Sequence, residues 1–243
     1  PDVISRTAKI MTNAGFVLGK LGGLNATDAF IDWAHLSGWV IGYDASARNW
    51  SEKQIELLGI PRELLPRVVR PWDVVGELTR AEAEKLGLLP GTPLIAGAGD
   101  IMQSNLGSGV VEYGQCCDVA GTASIFTVDV EAIHRPVTET SGILYSMCTL
   151  EDHYMYWGYI RAGGLSLRWF RDDLFKAVGQ DDFYARMDKE AAGVPAGSSL
   201  SLFYPFLQGG DPSMPNASAA WLGLYGSSNS AVLWRSILEA IAF

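Results

Sequence analysis

The chain has 243 residues, of which 48% are hydrophobic, so it can bury one large core or two ordinary ones. Its formal net charge of -9 argues against nucleic acid and against anionic membranes as partners, because both require a basic surface. No apolar run approaches the length of a membrane span and no signal peptide is visible, so the sequence predicts no membrane partner.

Helix and strand signals alternate along the whole chain, which is typical of α/β proteins. Capping-box spacings begin two of the helices, at Ser51 and at Thr79. The predicted helices cover 52–58, 80–86, 166–178, 181–192 and 229–243. The predicted strands cover 93–96, 116–120, 124–130, 144–150, 153–160 and 200–206. The glycines at 107–109 predict a boundary between two domains.

The cysteines and the two chain ends bear on location and completeness. Cys116 and Cys117 are sequence neighbours and Cys148 makes the count odd, which argues against a disulfide framework and predicts a reducing, cytoplasmic setting. The sequence starts at Pro1 without a methionine and stops at Phe243 inside a helical pattern. We therefore expect the chain to be part of a longer protein.

Standard catalytic and nucleotide-binding motifs are missing from the sequence. The glycines at 97–99 do not form a dinucleotide fingerprint, because Met102 occupies the third glycine position. Neither a phosphate loop of the Walker type nor a Gly-x-Ser-x-Gly elbow occurs. The histidines His35, His134 and His153 are scattered without the spacing of metal ligands, so we expect surface or packing residues.

One carboxylate stands out, because Asp100 follows a strand and a run of small residues, Gly97-Ala98-Gly99. Small residues let a ligand approach the backbone, and the end of a strand is where α/β proteins usually bind ligands. A turn aspartate that caps the next helix explains the same pattern, and on spacing alone this second interpretation is favoured.

A second segment, 118–124, reads as a tight hairpin in which Gly121 is followed by Thr122. Such a turn can direct backbone N–H groups at a phosphate group. An ordinary hairpin turn has the same signature, so this segment alone does not decide between the two interpretations.

Four stretches, taken in order and spacing, resemble blocks of the FGGY family of carbohydrate kinases. Residues 86–100, which end in Gly97-Ala98-Gly99-Asp100, resemble the family's GL..GTPV..G.GD block. The other three are 107–124, similar to the block that ends in GTS, 163–170, similar to the start of the nucleotide-side helix, and 204–243, similar to the C-terminal signature. Residues 25–76 fit the end of the family's first domain, so the resemblance covers nearly the whole chain.

The resemblance implies an α/β fold of two actin-like, ribonuclease-H-like domains around a cleft, both incomplete in this chain. Residues 1–107 would form the C-terminal part of the first, sugar-binding domain, and 108–243 the N-terminal part of the second, ATP-binding domain. The family's N-terminal Asp-x-Gly-Thr phosphate hairpin and its C-terminal adenosine loop are absent from this sequence.

The same resemblance assigns the site residues. Asp100 matches the catalytic aspartate that accepts a proton from the sugar hydroxyl, and Gln103 is expected beside it at the substrate. The residues expected at the nucleotide are Gly121, Thr122, Gly164 and Arg168. The implied reaction is phosphoryl transfer from ATP, with Mg²⁺, to a sugar or polyol, and no metal ligands from the protein are expected.

Two departures from the family pattern leave the substrate open. Residues 209–212 read Gly-Gly-Asp-Pro where many members have Gly-Glu-Arg-x-Pro, and Ile101 replaces a polar residue that touches the sugar in several members. A ketopentose such as xylulose is the first expectation, while glycerol, ribulose, gluconate and other polyols stay open. The alternative is a non-catalytic sugar- or nucleotide-binding relative, and the assembly state, a homodimer included, is also open.

Overall fold

The computed structural model describes residues 2–39, 41–134, 143–197, 200–210 and 214–243, which form mixed α/β structure as predicted. The helices, numbered in chain order, are α1 (Asp2–Ser5), α2 (Asn13–Gly22), α3 (Trp33–Leu36), α4 (Glu52–Leu57), α5 (Arg80–Leu86), α6 (Asp100–Gly107), α7 (Gly163–Trp169), α8 (Phe183–Ala191) and α9 (Ser230–Ala242). The strands are β1 (Phe30–Asp32), β2 (Tyr43–Asp44), β3 (Asn49–Trp50), β4 (Arg67–Val69), β5 (Val74–Glu77), β6 (Pro93–Ile95), β7 (Cys116–Ala120), β8 (Ser124–Val130), β9 (Leu144–Met147), β10 (Tyr154–Ile160), β11 (Leu202–Tyr204) and β12 (Ala220–Leu222).

The chain divides into two compact units. The first unit comprises 1–117 and 127–157, and the second comprises 118–126 and 158–243. One four-stranded sheet has the order β7-β8-β10-β9, and the other strands form two-stranded sheets. Both predicted hairpins, β7 with β8 and β9 with β10, are present among these strands.

The first unit holds the strands that lead to the acidic site residues. β1 pairs in parallel with β4, with Asp32 opposite Val69. β6 pairs antiparallel with β5 through an irregular register at Val74 and Gly76, and the chain then reaches α6. Buried apolar side chains stabilise both regions through the hydrophobic effect; they include Phe30, Ile31, Trp33, Leu36, Trp50, Leu65, Val75, Leu94, Met147 and Met155.

Both predicted capping residues of the first unit act as N-caps. The Ser51 hydroxyl accepts the Gln54 N–H at 3.4 Å, and the Thr79 hydroxyl accepts the Glu82 N–H at 3.4 Å. The Gln54 side chain does not complete its capping box, because its Oε1 accepts the N–H of Gly42 at 2.8 Å. The local start signals are therefore confirmed, while one of the reciprocal bonds is replaced by a tertiary contact.

The second unit packs around one aromatic cluster. Trp234 of α9 lies against Phe183 of α8, with ring centroids 6.0 Å apart, and against Phe170, with centroids 5.3 Å apart. All three side chains are at most 1% exposed. The helix α9 begins where the side chain of Asn229 accepts the N–H of Val232 at 3.1 Å, close to its predicted start.

The helix predicted over 166–178 is wrong at both ends. The helix begins earlier, at Gly163, and after α7 it widens into a π-helix over Phe170–Leu174. The apolar face predicted for residues 166–178 does not continue to the end of that range, because Leu174 is 46% exposed and Val178 is 70% exposed. A π-turn shifts the following side chains around the helix axis, so the face expected from a period of 3.6 residues is lost.

The cysteines Cys116, Cys117 and Cys148 are free thiols. Among the described residues, no helix is long and apolar enough to cross a membrane.

Candidate active site

Asp100 is the first residue of α6 and its side chain is exposed to solvent. The residue before it, Gly99, is the N-cap, and as a glycine it has no side chain to cap the helix. The Oδ1 atom of Asp100 accepts the N–H of Ile101 at 2.8 Å. No ion pair among the described residues includes Asp100. The carboxylate is therefore open to a ligand, and its local role at the helix start is that of a first-turn acid.

Gln103 follows Asp100 by three residues on α6, which places both on one side of the helix. Its backbone N–H donates to the Gly99 carbonyl at 2.9 Å, as helix geometry requires. The residue is half-buried. Ile101, by contrast, packs against the buried cluster around Trp33, which explains why an apolar residue occupies this position.

His35 and Asp32 form a pair that the sequence interpretation missed. Asp32 is the N-cap of α3: its Oδ1 accepts the backbone N–H of His35 at 2.9 Å, and its Oδ2 lies 2.6 Å from His35 Nδ1. The Asp32 side chain is 3% exposed and that of His35 is 29% exposed. His35 therefore has a buried carboxylate partner in addition to the surface or packing role expected for it. The signal was an Asp three residues before a His at a helix start.

The pKa of His35 is raised above its ordinary value of 6.5, chiefly by its hydrogen bond to Asp32. Burial of the ring opposes this shift, and the negative charges of Asp32 and Asp100 add to it. The contribution of the Asp100 charge ties His35 to the candidate base. The backbone gives a second indication, because a Cβ atom on Gly99 would lie 4.0 Å from His35 Nε2.

In the second unit, the hairpin turn between β7 and β8 is closed by its own backbone. The N–H of Gly121 donates to the Ala123 carbonyl at 2.8 Å, and the Ser124 hydroxyl donates to Asp118 at 2.9 Å. The Gly121 N–H, which is expected at a phosphate, is engaged within the turn in this structure. Thr122 is exposed, and its hydroxyl has no partner among the described residues.

Gly164 lies directly against this turn. Its N–H donates to the Gly121 carbonyl at 2.9 Å, and the N–H of Leu165 donates to the Thr122 carbonyl at 3.1 Å. A Cβ atom on Gly164 would be 2.4 Å from the Gly121 carbonyl oxygen, and one on Gly163 would be 2.9 Å from the Ser124 Cβ. The two glycines are therefore required by close packing of α7 on the hairpin.

Arg168 is exposed on α7, one turn after Gly164. It lines a cavity of about 230 Å³ together with Leu165, Trp169, Asp172, Asp173 and Leu207. The pKa of Asp172 is lowered, first by its hydrogen bond to Arg171 and further by the positive charge of Arg168. The cavity thus combines a guanidinium group with apolar and aromatic walls. Asp211 and Pro212, which depart from the family pattern, lie outside the described residues.

Comparison with known proteins shows which proteins this chain is similar to. Residues 1–107 match the N-terminal domain of the FGGY family of carbohydrate kinases. The gluconokinase of Bacillus subtilis is 26% identical over 203 residues, which are 80% of this chain and 39% of that protein. The autoinducer-2 kinase of Yersinia enterocolitica is 30% identical over 210 residues, which are 82% of this chain and 37% of that protein.

The fold is likewise that of solved kinases of this kind. The crystal structure of xylulose kinase from Rhodospirillum rubrum superposes with a TM-score of 0.81 at 25% identity, covering 97% of this chain and 46% of that one. The chain thus has the actin-like, ribonuclease-H-like α/β fold, and it spans less than half the length of each of these three proteins. Residues 1–107 thus belong to the N-terminal domain of the FGGY family of carbohydrate kinases, and the similarity to the three kinases named above extends over at least 80% of the chain.

Proposed function

We propose that the protein is an ATP-dependent kinase of a sugar or polyol, with Asp100 as the general base. The observation that carries the proposal is the exposed Asp100 carboxylate, which follows β6 and takes part in no ion pair among the described residues. Family membership supports the reaction class, since the most similar relatives include a gluconokinase and an autoinducer-2 kinase.

In the proposed reaction, the acceptor hydroxyl loses its proton to the Asp100 carboxylate while its oxygen forms a bond to the γ-phosphorus of ATP. The bond between the γ-phosphorus and the bridging oxygen breaks, and ADP leaves with that oxygen. Phosphoryl transfer depends mainly on positioning and charge stabilisation, and a general base contributes roughly 10²–10⁴-fold in rate. Gln103, on the same side of α6, is the proposed neighbouring contact to the acceptor.

On the nucleotide side, the proposal assigns phosphate contact to Thr122 and leaves the Gly121 N–H in the turn. The exposed hydroxyl of Thr122 is a donor that the hairpin does not use. Gly164 holds the turn against α7, and Arg168 with its cavity is the proposed contact to the nucleoside. We further propose that residues 1–107 belong to the sugar-binding domain and residues 108–243 to the ATP-binding domain.

Mg²⁺ enters the proposal as a companion of the nucleotide. The described residues contain no group of three or more His, Cys, Asp and Glu side chains that could hold a metal ion. Kinases commonly bind Mg²⁺ through substrate phosphates, water and only one or two carboxylates, and the bound ion offsets phosphate charge. We assign no protein ligand to it and no step that depends on one.

The acceptor class is a sugar, a sugar acid or a related polyol. Xylulose is our first choice, and the named relatives add gluconate and autoinducer-2 as acceptors to test. The free thiols of Cys116, Cys117 and Cys148 support a reducing location, and we propose the cytoplasm.

A coupled assay of ADP formation by the full-length protein tests the proposal. The acceptors are xylulose, ribulose, gluconate, glycerol and autoinducer-2, each with Mg-ATP, and the control is ATP without an acceptor. We expect one acceptor to raise ADP formation well above the control. Binding of sugar or nucleotide without turnover on any acceptor would instead indicate a non-catalytic relative.

A further inference from the structure

The Asp32–His35 pair has a geometry that exceeds the needs of a helix cap. Capping requires only the bond from the His35 N–H to Asp32 Oδ1. The second carboxylate oxygen lies 2.6 Å from Nδ1, which is a short, charge-assisted contact. Because an ionised carboxylate only accepts hydrogen bonds, Nδ1 carries a proton and the ring orientation is fixed. The opposite edge of the ring, Cδ2 and Nε2, is left for another partner.

That opposite edge lies near Gly99, the residue that precedes Asp100. A Cβ atom on Gly99 would be 3.9 Å from His35 Cδ2 and 4.0 Å from Nε2. The ring therefore lies within van der Waals reach of a side chain at position 99, whose tightest contact would be with Met102 Sδ at 3.0 Å. The charged groups that act on His35 are Asp32, from its own helix start, and Asp100, from α6.

The first unit contains a second histidine–carboxylate pair that serves as an internal comparison. His153 Nδ1 lies 2.8 Å from Oδ1 of Asp129, a carboxylate that is 3% exposed. Its ring packs on Tyr113, with centroids 4.6 Å apart, and the other Asp129 oxygen lies 3.7 Å from the buried thiol of Cys148. This pair is enclosed by packing, whereas the Cδ2–Nε2 edge of His35 lies near Gly99, the residue before the candidate base.

We propose that His35, held by Asp32, is a positioning residue for Asp100, beside which it places a positive imidazolium group. The role rests on the proposed function of Asp100 as general base. An imidazolium at this place stabilises the ionised carboxylate, which is the form that accepts a proton. It also limits the orientations of a side chain that is otherwise exposed at the start of α6.

The pH dependence of turnover distinguishes this role from a purely structural one. The raised pKa of His35 means that the imidazolium is present below that pKa and is lost as the pH rises through it. We therefore expect kcat of the full-length protein to fall on the alkaline side as His35 loses its proton. His35→Gln should lower kcat on the order of tenfold near neutral pH, with KM for ATP unchanged, and should remove this alkaline limb.

Two variants separate charge from structure. Asp32→Asn keeps an N-cap, because Asn caps helices as well as Asp, but it removes the negative charge at Nδ1. It should move the alkaline limb to lower pH. His153→Gln is the matched control, since it breaks the enclosed Asp129 pair and should leave the pH profile of kcat unchanged. An alkaline limb that persists in His35→Gln would overturn the proposal.

A titration of the His35 ring by NMR separates failure of this inference from failure of the proposed function. The signal is assigned by its loss in His35→Gln, and its pKa is compared between the wild-type protein and Asp100→Asn. We expect a lower His35 pKa in Asp100→Asn, because the Asp100 charge raises it. An unchanged titration in a protein that phosphorylates an acceptor would overturn the positioning role alone. Absence of turnover on every acceptor would overturn the proposed function, whatever the titration shows.

Discussion

The two units of the chain carry their candidate site residues in different ways. In the first unit, the candidate residues present side chains: Asp100 is exposed, and Asp32 fixes the ring of His35. In the second unit, the backbone determines the shape, because the Gly121 carbonyl accepts the N–H of Gly164 and a side chain at 164 has no room. Substitution of a candidate residue in the first unit should therefore change the charge and leave the packing intact. Substitution of a candidate glycine in the second unit should change the packing first.

The largest expected effect comes from Asp100→Asn. Asn is nearly isosteric and the side chain is exposed, so the fold should be retained. Loss of the base should lower kcat by about 10²–10⁴-fold, measured with the acceptor that the coupled assay identifies. Near-normal turnover would refute the assignment.

The control for this variant is Asp182→Asn. Asp182 is an exposed aspartate that precedes α8 and makes no side-chain capping bond. Its substitution should leave both kcat and the free energy of unfolding unchanged. The comparison thus tests whether the effect belongs to the carboxylate of Asp100 and not to a general change in charge.

Gly164→Ala is expected to change the stability of the protein and not its charge. The new Cβ atom would lie 2.4 Å from a backbone oxygen, so α7 or the hairpin must move. We expect the free energy of unfolding to fall by roughly 1–3 kcal/mol, measured by urea denaturation. Gly158→Ala is the matched control, because a Cβ atom on Gly158 would meet nothing within 4 Å. Equal stability of the two variants would show that the close packing is not required.

The features that the sequence predicts well are those encoded by neighbouring residues. The hairpin strands β7 and β8 have their predicted bounds, because strand alternation and a Gly-Thr turn are local signals. The caps at Ser51 and Thr79 act within one helical turn and were found for the same reason. The candidate site residues Asp100 and Gly164 are likewise predicted from motifs, which lie on short stretches of chain.

The features that it does not predict depend on tertiary contacts. The Asp32–His35 pair is local and could have been read from its spacing, but its approach to Gly99 joins distant parts of the chain. The sequence also does not show which acceptor a backbone N–H will bind. The Gly121 N–H, for example, donates to a carbonyl within its own turn. The π-helix at Phe170–Leu174 likewise disrupts a period that the sequence continues to Val178.

The smallest effect is expected from Thr122→Val. This substitution changes a side chain in the second unit, where the backbone determines the shape. Val has the shape of Thr without the hydroxyl, and that hydroxyl is exposed and unused within the described residues. Loss of one hydrogen bond to a phosphate should weaken ATP binding about three- to tenfold, measured by calorimetry. The affinity for the sugar in the same variant is the control and should stay unchanged. A larger loss of sugar affinity than of ATP affinity would place the hairpin at the acceptor, and the second unit would then need a different nucleotide contact.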